Sequence, residues 1–157
     1  MSAAWSGLFG KVPAQGDFLS RNLEPAMRRE LDLWTSTHLA RRAPETWPAG
    51  GLRALLDFEA GLVLICALPS HDAAGRKFPL VGLRDGQGLS LEEANAWCDR
   101  AADHLVAVIA GQVALAPPDQ GPSVAHSGDD GEAAIWCAGL DPLDLSPESF
   151  DAIFSSA

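Results

Sequence analysis

The chain has 157 residues, 47% hydrophobic and 20% charged, which suits one soluble globular domain with a real core. Its formal net charge of -10 opposes the counterion displacement that nucleic-acid binding requires and any attraction to anionic lipid, and favours a basic or mixed partner surface. No run approaches the ~20 apolar residues of a membrane span, and the amino terminus MSAAWSGLFGKVPAQGD lacks the basic start and apolar stretch of a secretory signal. The expectation is therefore a cytoplasmic protein.

Trp5 to Val12 predicts a first strand, ended by Pro13 and the Gly16-Asp17 turn. Pro25 suits the first position of a helix, and Met27, Leu31, Trp34 and His38 then recur at helical spacing. Pro44, Pro48, Gly50 and Gly51 end that helix and cover a loop. Leu55 to Glu59 and Leu62 to Leu68 predict a hairpin connected at Ala60-Gly61. The second of these runs, LVLICAL, is apolar without alternation, as in a strand buried on both faces.

Phe78 to Arg84 predicts the next strand, and the turn at Asp85-Gly86-Gln87-Gly88 leads to a helix start. Ser90 and Glu93 have capping-box spacing. Leu91, Ala94, Cys98, Ala101, Leu105, Val108 and Ile109 predict the buried stripe of that helix. Residues 112–131, rich in Pro, Gly, Ser and Asp, predict a mobile loop. Ala133 to Ala138 predicts the last strand, and Ser146-Pro147 opens a short helix through Phe150 and Phe154. Together these elements predict a single-domain α/β sandwich over residues 1–157, its central sheet mixed or mostly antiparallel and flanked by helices.

The loop LPSHDAAGRKFPL, Leu68 to Leu80, concentrates the candidate chemistry. Ser70, His71 and Asp72 are triad residue types, but consecutive side chains rarely let a base meet both nucleophile and acid, and no GxSxG elbow surrounds Ser70. Gly75, Arg76 and Lys77 could hold an anion without the P-loop pattern. His38, His71, His104 and His126 lack paired metal-ligand spacing, and His38 and His104 read as packed residues. Asp129, Asp130 and Glu132 read as solvated, and Cys66, Cys98 and Cys137 as small core thiols. The loop also has the composition of a stiff turn. Pro69 ends a strand, Ser70 and Asp72 can accept backbone N–H bonds, Asp72 can pair with Arg76, and Phe78 anchors the apolar side.

GLFGKVPAQGDF, Gly7 to Phe18, is similar to the FGKxPxxGDF signature of the TagF family of type VI secretion-associated proteins, and Pro69 to Leu80 resembles its second signature, PSxDxxGRxFPL. Trp34, Arg41-Arg42 and Trp47 stand where the family has a tryptophan-bearing helix, a basic pair and a further Trp, so the resemblance covers most of the chain. It departs after the second helix, where many members are longer and carry paired tryptophans in place of Trp136-Cys137.

The resemblance implies a non-enzymatic cytoplasmic α/β protein with no cofactor or metal. It further implies a post-translational repressor of type VI secretion that binds the forkhead-associated scaffold protein Fha. Carried over, the candidates for partner binding or loop organisation are Lys11, Asp17, Ser70, Asp72, Arg76 and Phe78, with an Asp17–Arg76 pair expected between the two loops. Pro13, Gly16, Phe18, Pro69, Gly75 and Pro79 also match. The alternative is a small-ligand or anion-binding sensor or enzyme that uses the Ser70–Lys77 loop.

Overall fold

The computed structural model describes residues 5–120 and 131–154. Six strands form one sheet: β1 (Ser6–Gly10), β2 (Leu19–Arg21), β3 (Leu52–Phe58), β4 (Gly61–Leu68), β5 (Leu80–Asp85) and β6 (Ala134–Trp136). Their spatial order is β2-β1-β5-β4-β3-β6, and every neighbouring pair is antiparallel. The sheet is thus wholly antiparallel among the described strands, the second of the two forms expected taken to its limit. Three helices flank it, α1 (Pro25–His38), α2 (Leu91–Ile109) and α3 (Pro147–Phe154), so the α/β class holds.

β4 shows why the sheet is a middle layer. Val63, Ile65 and Ala67 pack on the side of α1 and α3, while Leu64, Cys66 and Leu68 pack on the side of α2. Both faces of the LVLICAL run are dry, which explains its lack of polar alternation. On the first side Leu31, Phe150, Ile153 and Phe154 close the layer, and on the second Trp97, Ala101 and Leu105 do so. α2 buries a broader stripe than its apolar spacing predicts: Trp97 and Ala102 are inside, whereas Leu91 is exposed. Cys66 and Cys98 are buried and Cys137 is half-buried.

Several strand limits moved. β1 is shorter than residues 5–12, because Lys11 and Val12 turn away to form a loop. β2 had no sequence signal, since LSR is three residues long and made only by pairing with β1. β3 begins at Leu52, upstream of the expected Leu55, and includes a buried Arg53. That cation is tolerated because Nη1 donates to Asn95 Oδ1 (2.7 Å) and Nη2 to Asp99 Oδ1 (2.5 Å), which also ties α2 to the sheet.

The described part of the expected mobile loop lies on the protein surface, fastened by side chains that reach its carbonyls. Ser6 Oγ donates to Pro118 O (2.6 Å), Trp97 Nε1 to Asp119 O (2.8 Å) and Arg84 Nη1 to Gln120 O (2.9 Å). His104 Nε2 meets Ala116 O at 2.8 Å. A backbone without ladder partners is satisfied in this way instead of by solvent alone. Residues 121–130, with His126, Asp129 and Asp130, lie outside the described residues; Glu132 is exposed. Among the described residues no helix is long and apolar enough to cross a membrane.

The capping box at α2 has both expected bonds: Ser90 Oγ accepts from Glu93 N–H (3.1 Å) and Glu93 Oε1 accepts from Ser90 N–H (3.0 Å). Ser90→Ala is expected to lower unfolding free energy by about 1 kcal/mol, measured by urea denaturation with an unchanged m-value.

Candidate functional site

β1 and β5 pair so that Gly10 lies opposite Leu80. The loop leaving β1 and the loop entering β5 therefore emerge side by side at one end of the sheet, although their residues are distant in sequence. Closeness is extreme at Gly10, which has φ +136°; a Cβ there would stand 2.0 Å from the Pro79 carbonyl oxygen. Only glycine suits that backbone and that contact. Farther out, Ala73 N–H donates to Gln15 O at 2.7 Å, joining the two loops through their backbones.

Asp72 is the centre of the assembly. Its side chain is completely buried. Oδ1 accepts from the N–H groups of Ala74 (2.9 Å) and Arg76 (2.9 Å), which shapes the turn. Oδ2 accepts from Lys11 Nζ (3.1 Å) on the first loop and Arg76 Nε (2.8 Å) on the second. Burial alone would push the carboxyl pKa up. The Arg76 amide, the Lys11 ammonium, the Ala74 amide and the Arg76 guanidinium outweigh it and hold Asp72 well below the usual carboxylate range.

The cations are held as well. Lys11 is itself buried, and its ammonium lies 4.8 Å from the centre of the Phe18 ring. Phe18 stacks on Phe9 at 5.7 Å and meets Phe78 edge-on at 4.9 Å; Phe9 and Phe78 also meet edge-on, at 5.9 Å. One aromatic comes from β1 and one from each loop, so the trio packs the junction beside the ionic centre. Arg76 spans from core to surface: its side chain is 65% exposed, and Nη2 donates to Gly16 O at 2.9 Å.

Five of the six candidates thus meet at one junction, with Asp17 beside them in a different role. The expected Asp17–Arg76 pair is replaced by the Arg76–Gly16 bond, and Asp17 Oδ1 accepts from the next residue's N–H, Phe18 (2.7 Å). A carbonyl already aimed at the guanidinium leaves Asp17 free to close its own turn. Ser70 is buried; its carbonyl accepts from Phe78 N–H (3.2 Å), and its Oγ has no partner among the described residues. His71 Nδ1 meets the Asp72 backbone oxygen at 3.0 Å, away from the carboxylate. The Lys11–Asp72 bond escaped sequence reasoning, although both residues were singled out, because spacing along the chain carries no sign of which loops adjoin.

Among the described residues no group of three or more His, Cys, Asp or Glu side chains is arranged to hold a metal. His38 is half-buried and stacked on Phe150 at 4.7 Å, and burial, with the nearby Arg42 charge, lowers its pKa.

Residues 7–121, a span that includes both loops, match the TagF N-terminal domain, type VI secretion system-associated. The chain belongs to the TagF N-terminal domain family. Among solved structures this TagF-family chain is similar to the crystal structure of PA0076 from Pseudomonas aeruginosa PAO1, with a TM-score of 0.56 and 20% identity. The match covers 71% of this chain and 58% of that one, less than two thirds of its length, and is a likeness of fold. No curated protein matches the sequence. In TagF terms, the two signatures that are far apart in the sequence are the two halves of one ionic and aromatic junction.

Asp72 binds its proton less tightly folded than unfolded, so its stabilising effect is complete above about pH 4 and is lost as pH falls through the lower folded value. The difference in melting temperature between the wild type and Asp72→Asn is therefore expected to be largest at neutral pH and to narrow in acid. A separate contrast tests the loop contacts. Gly10→Ala is expected to lose about 2 kcal/mol or more, since it combines a strained φ with a backbone clash. A Cβ at Gly16 meets nothing within 4 Å, so Gly16→Ala is expected to stay within about 0.5 kcal/mol of the wild type in the same denaturation series.

Proposed function

We propose that this chain is a non-enzymatic cytoplasmic regulator that represses type VI secretion by binding a forkhead-associated scaffold protein of the Fha type. Membership of a type VI secretion-associated family supports the setting. The observation that carries the binding role is Arg76: its Nε is fixed by a fully buried carboxylate and its Nη2 by a backbone carbonyl, while most of the side chain faces solvent. A guanidinium held in this way loses little freedom when a partner engages it. Phe18, partly exposed beside it, adds an aromatic edge to the same surface.

The geometry of the loop favours binding over turnover. The Asp72 carboxylate is committed to four donors, the His71 ring faces a backbone oxygen, and Ser70 Oγ meets no base. Among the described residues, therefore, no general base reaches a nucleophile of this loop. The hollow of about 290 Å³ next to the loop is walled by Pro44, Pro69, Ser70, His71, Gly75 and Lys77, and Arg76 points elsewhere.

Arg76→Ala is expected to remain folded, because Lys11 and two amides still satisfy Asp72. It should weaken Fha binding about tenfold to thirtyfold in isothermal titration, the range for a truncated interface arginine. A folded Arg76→Ala protein with wild-type affinity would remove this loop as the anchor.

A further inference from the structure

The Arg41-Arg42 pair stands apart from the signature junction, yet the fold brings it to the same side. Arg42 is held in place on several sides. Its guanidinium lies 4.6 Å from the Phe154 ring and 5.7 Å from the Phe150 ring, and Nε donates to His38 O at 3.1 Å. Trp47 braces Phe154 edge-on at 5.1 Å. Around Arg42 and the exposed Arg41 is an open hollow of about 460 Å³, with His38, Thr37, Thr46 and Phe154 in its walls. Asp151, 74% exposed, stands on its rim with a carboxylate oxygen 3.4 Å from Arg42 Nη1.

This hollow adjoins the region beside the signature loop. A narrow cleft of about 10 Å³ shares Arg42 with the first hollow and Pro44, Pro69, Ser70 and Lys77 with the second. The three lie side by side as a furrow with proline and aromatic walls, lined by Arg41, Arg42 and Lys77, and its narrow middle carries both Arg42 and Lys77. Neither Arg41 nor Lys77 makes an ion pair among the described residues, and both are exposed. Asp151 stands on the rim of the first hollow and Glu45 on the adjoining turn. The chain as a whole carries a net charge of -10. Its surface in general repels acidic polymers, and this furrow is a local exception.

We propose that the furrow is a docking site for an extended, acidic segment of a partner protein, with one carboxylate against Arg41–Arg42 and another against Lys77. The occupant follows from charge complementarity: Arg41 and Lys77, exposed and without an ion pair among the described residues, match the carboxylates of an acidic segment. The Asp151 carboxylate, 3.4 Å from Arg42 Nη1, marks where the first of them would dock. Prolines line the path, leaving few backbone donors to compete with the cations. The inference rests on the reading of the chain as a binding module and adds the chemistry of what is bound.

The test uses fluorescence anisotropy with a labelled Glu/Ala peptide of about ten residues, which spans roughly 30 Å when extended. Versions with Gln or Lys replacing each Glu serve as controls. The wild type is expected to bind only the Glu peptide, and with salt-sensitive affinity. The double variant Arg41→Glu/Lys77→Glu should bind it at least tenfold more weakly, and Arg41→Gln/Lys77→Gln should fall between. Arg28→Glu/Arg29→Glu, which alters exposed cations on α1 outside the furrow, should bind as the wild type does.

Equal binding by the furrow variants, or equal loss in the α1 variant, would overturn the proposal. So would binding of inorganic phosphate without the peptide, or a self-association that the furrow variants abolish while no peptide binds. The two readings fail separately. Fha binding that depends on Arg76 but is not displaced by a saturating Glu peptide, and is unaffected by the furrow variants, sinks the furrow alone. Absence of any Fha binding, with the peptide still captured through Arg41 and Lys77, sinks the scaffold reading and supports the furrow.

Discussion

The Asp72 carboxylate is the constraint on which the rest of the site depends. A charge with no solvent contact is destabilising unless its lone pairs are filled, and here four donors from two loops fill them. Those donors arrive only if the second loop makes its tight turn and the first loop turns Lys11 inward. The pairing therefore selects one arrangement of both loops from the many that their backbones allow. The Phe9–Phe18–Phe78 trio then supplies apolar packing that a polar centre cannot supply for itself.

The sheet gives this junction a stiff base. With helices on both faces, β4 and β5 have no wet side on which to slide, and a slip by one residue would exchange the two cores. Edge strands β2 and β6 are only three residues long, so little unpaired ladder is left for a stray chain to extend. The junction lies at one end of the neighbouring strands β1, β5 and β4, and its first loop runs on into β2 at Leu19. Position and rigidity therefore go together.

Much of this was legible in the residues. α1 announced itself through Pro25 and its apolar spacing, α2 through Ser90 and Glu93, and β4 through an unbroken apolar run, because each of those signals is local. Both loops were recognisable from their signatures, and Asp72–Arg76 from four-residue spacing. The missing parts were non-local. β2 exists because β1 lies beside it, Arg53 is buried because Asn95 and Asp99 await it, and Lys11 meets Asp72 because β1 joins β5. The described end of the Pro- and Gly-rich segment looked loose for the same reason: the side chains that hold its carbonyls come from β1, β5 and α2.

The strand order has a further consequence, in time instead of space. β3, β4 and β5 can pair in succession as they are made, but β1 must wait for β5, and Lys11 and Asp72 are 61 positions apart. Closing so large a loop is among the slower steps available to a small antiparallel protein. Until it happens, Lys11 has no carboxylate, Gly16 has no guanidinium and Phe18 lacks the edge of Phe78. The face proposed for binding is thus absent from partly folded chains. A partner that reads it would distinguish a finished molecule from an unfinished one, so that whatever the contact controls cannot be triggered by a nascent chain.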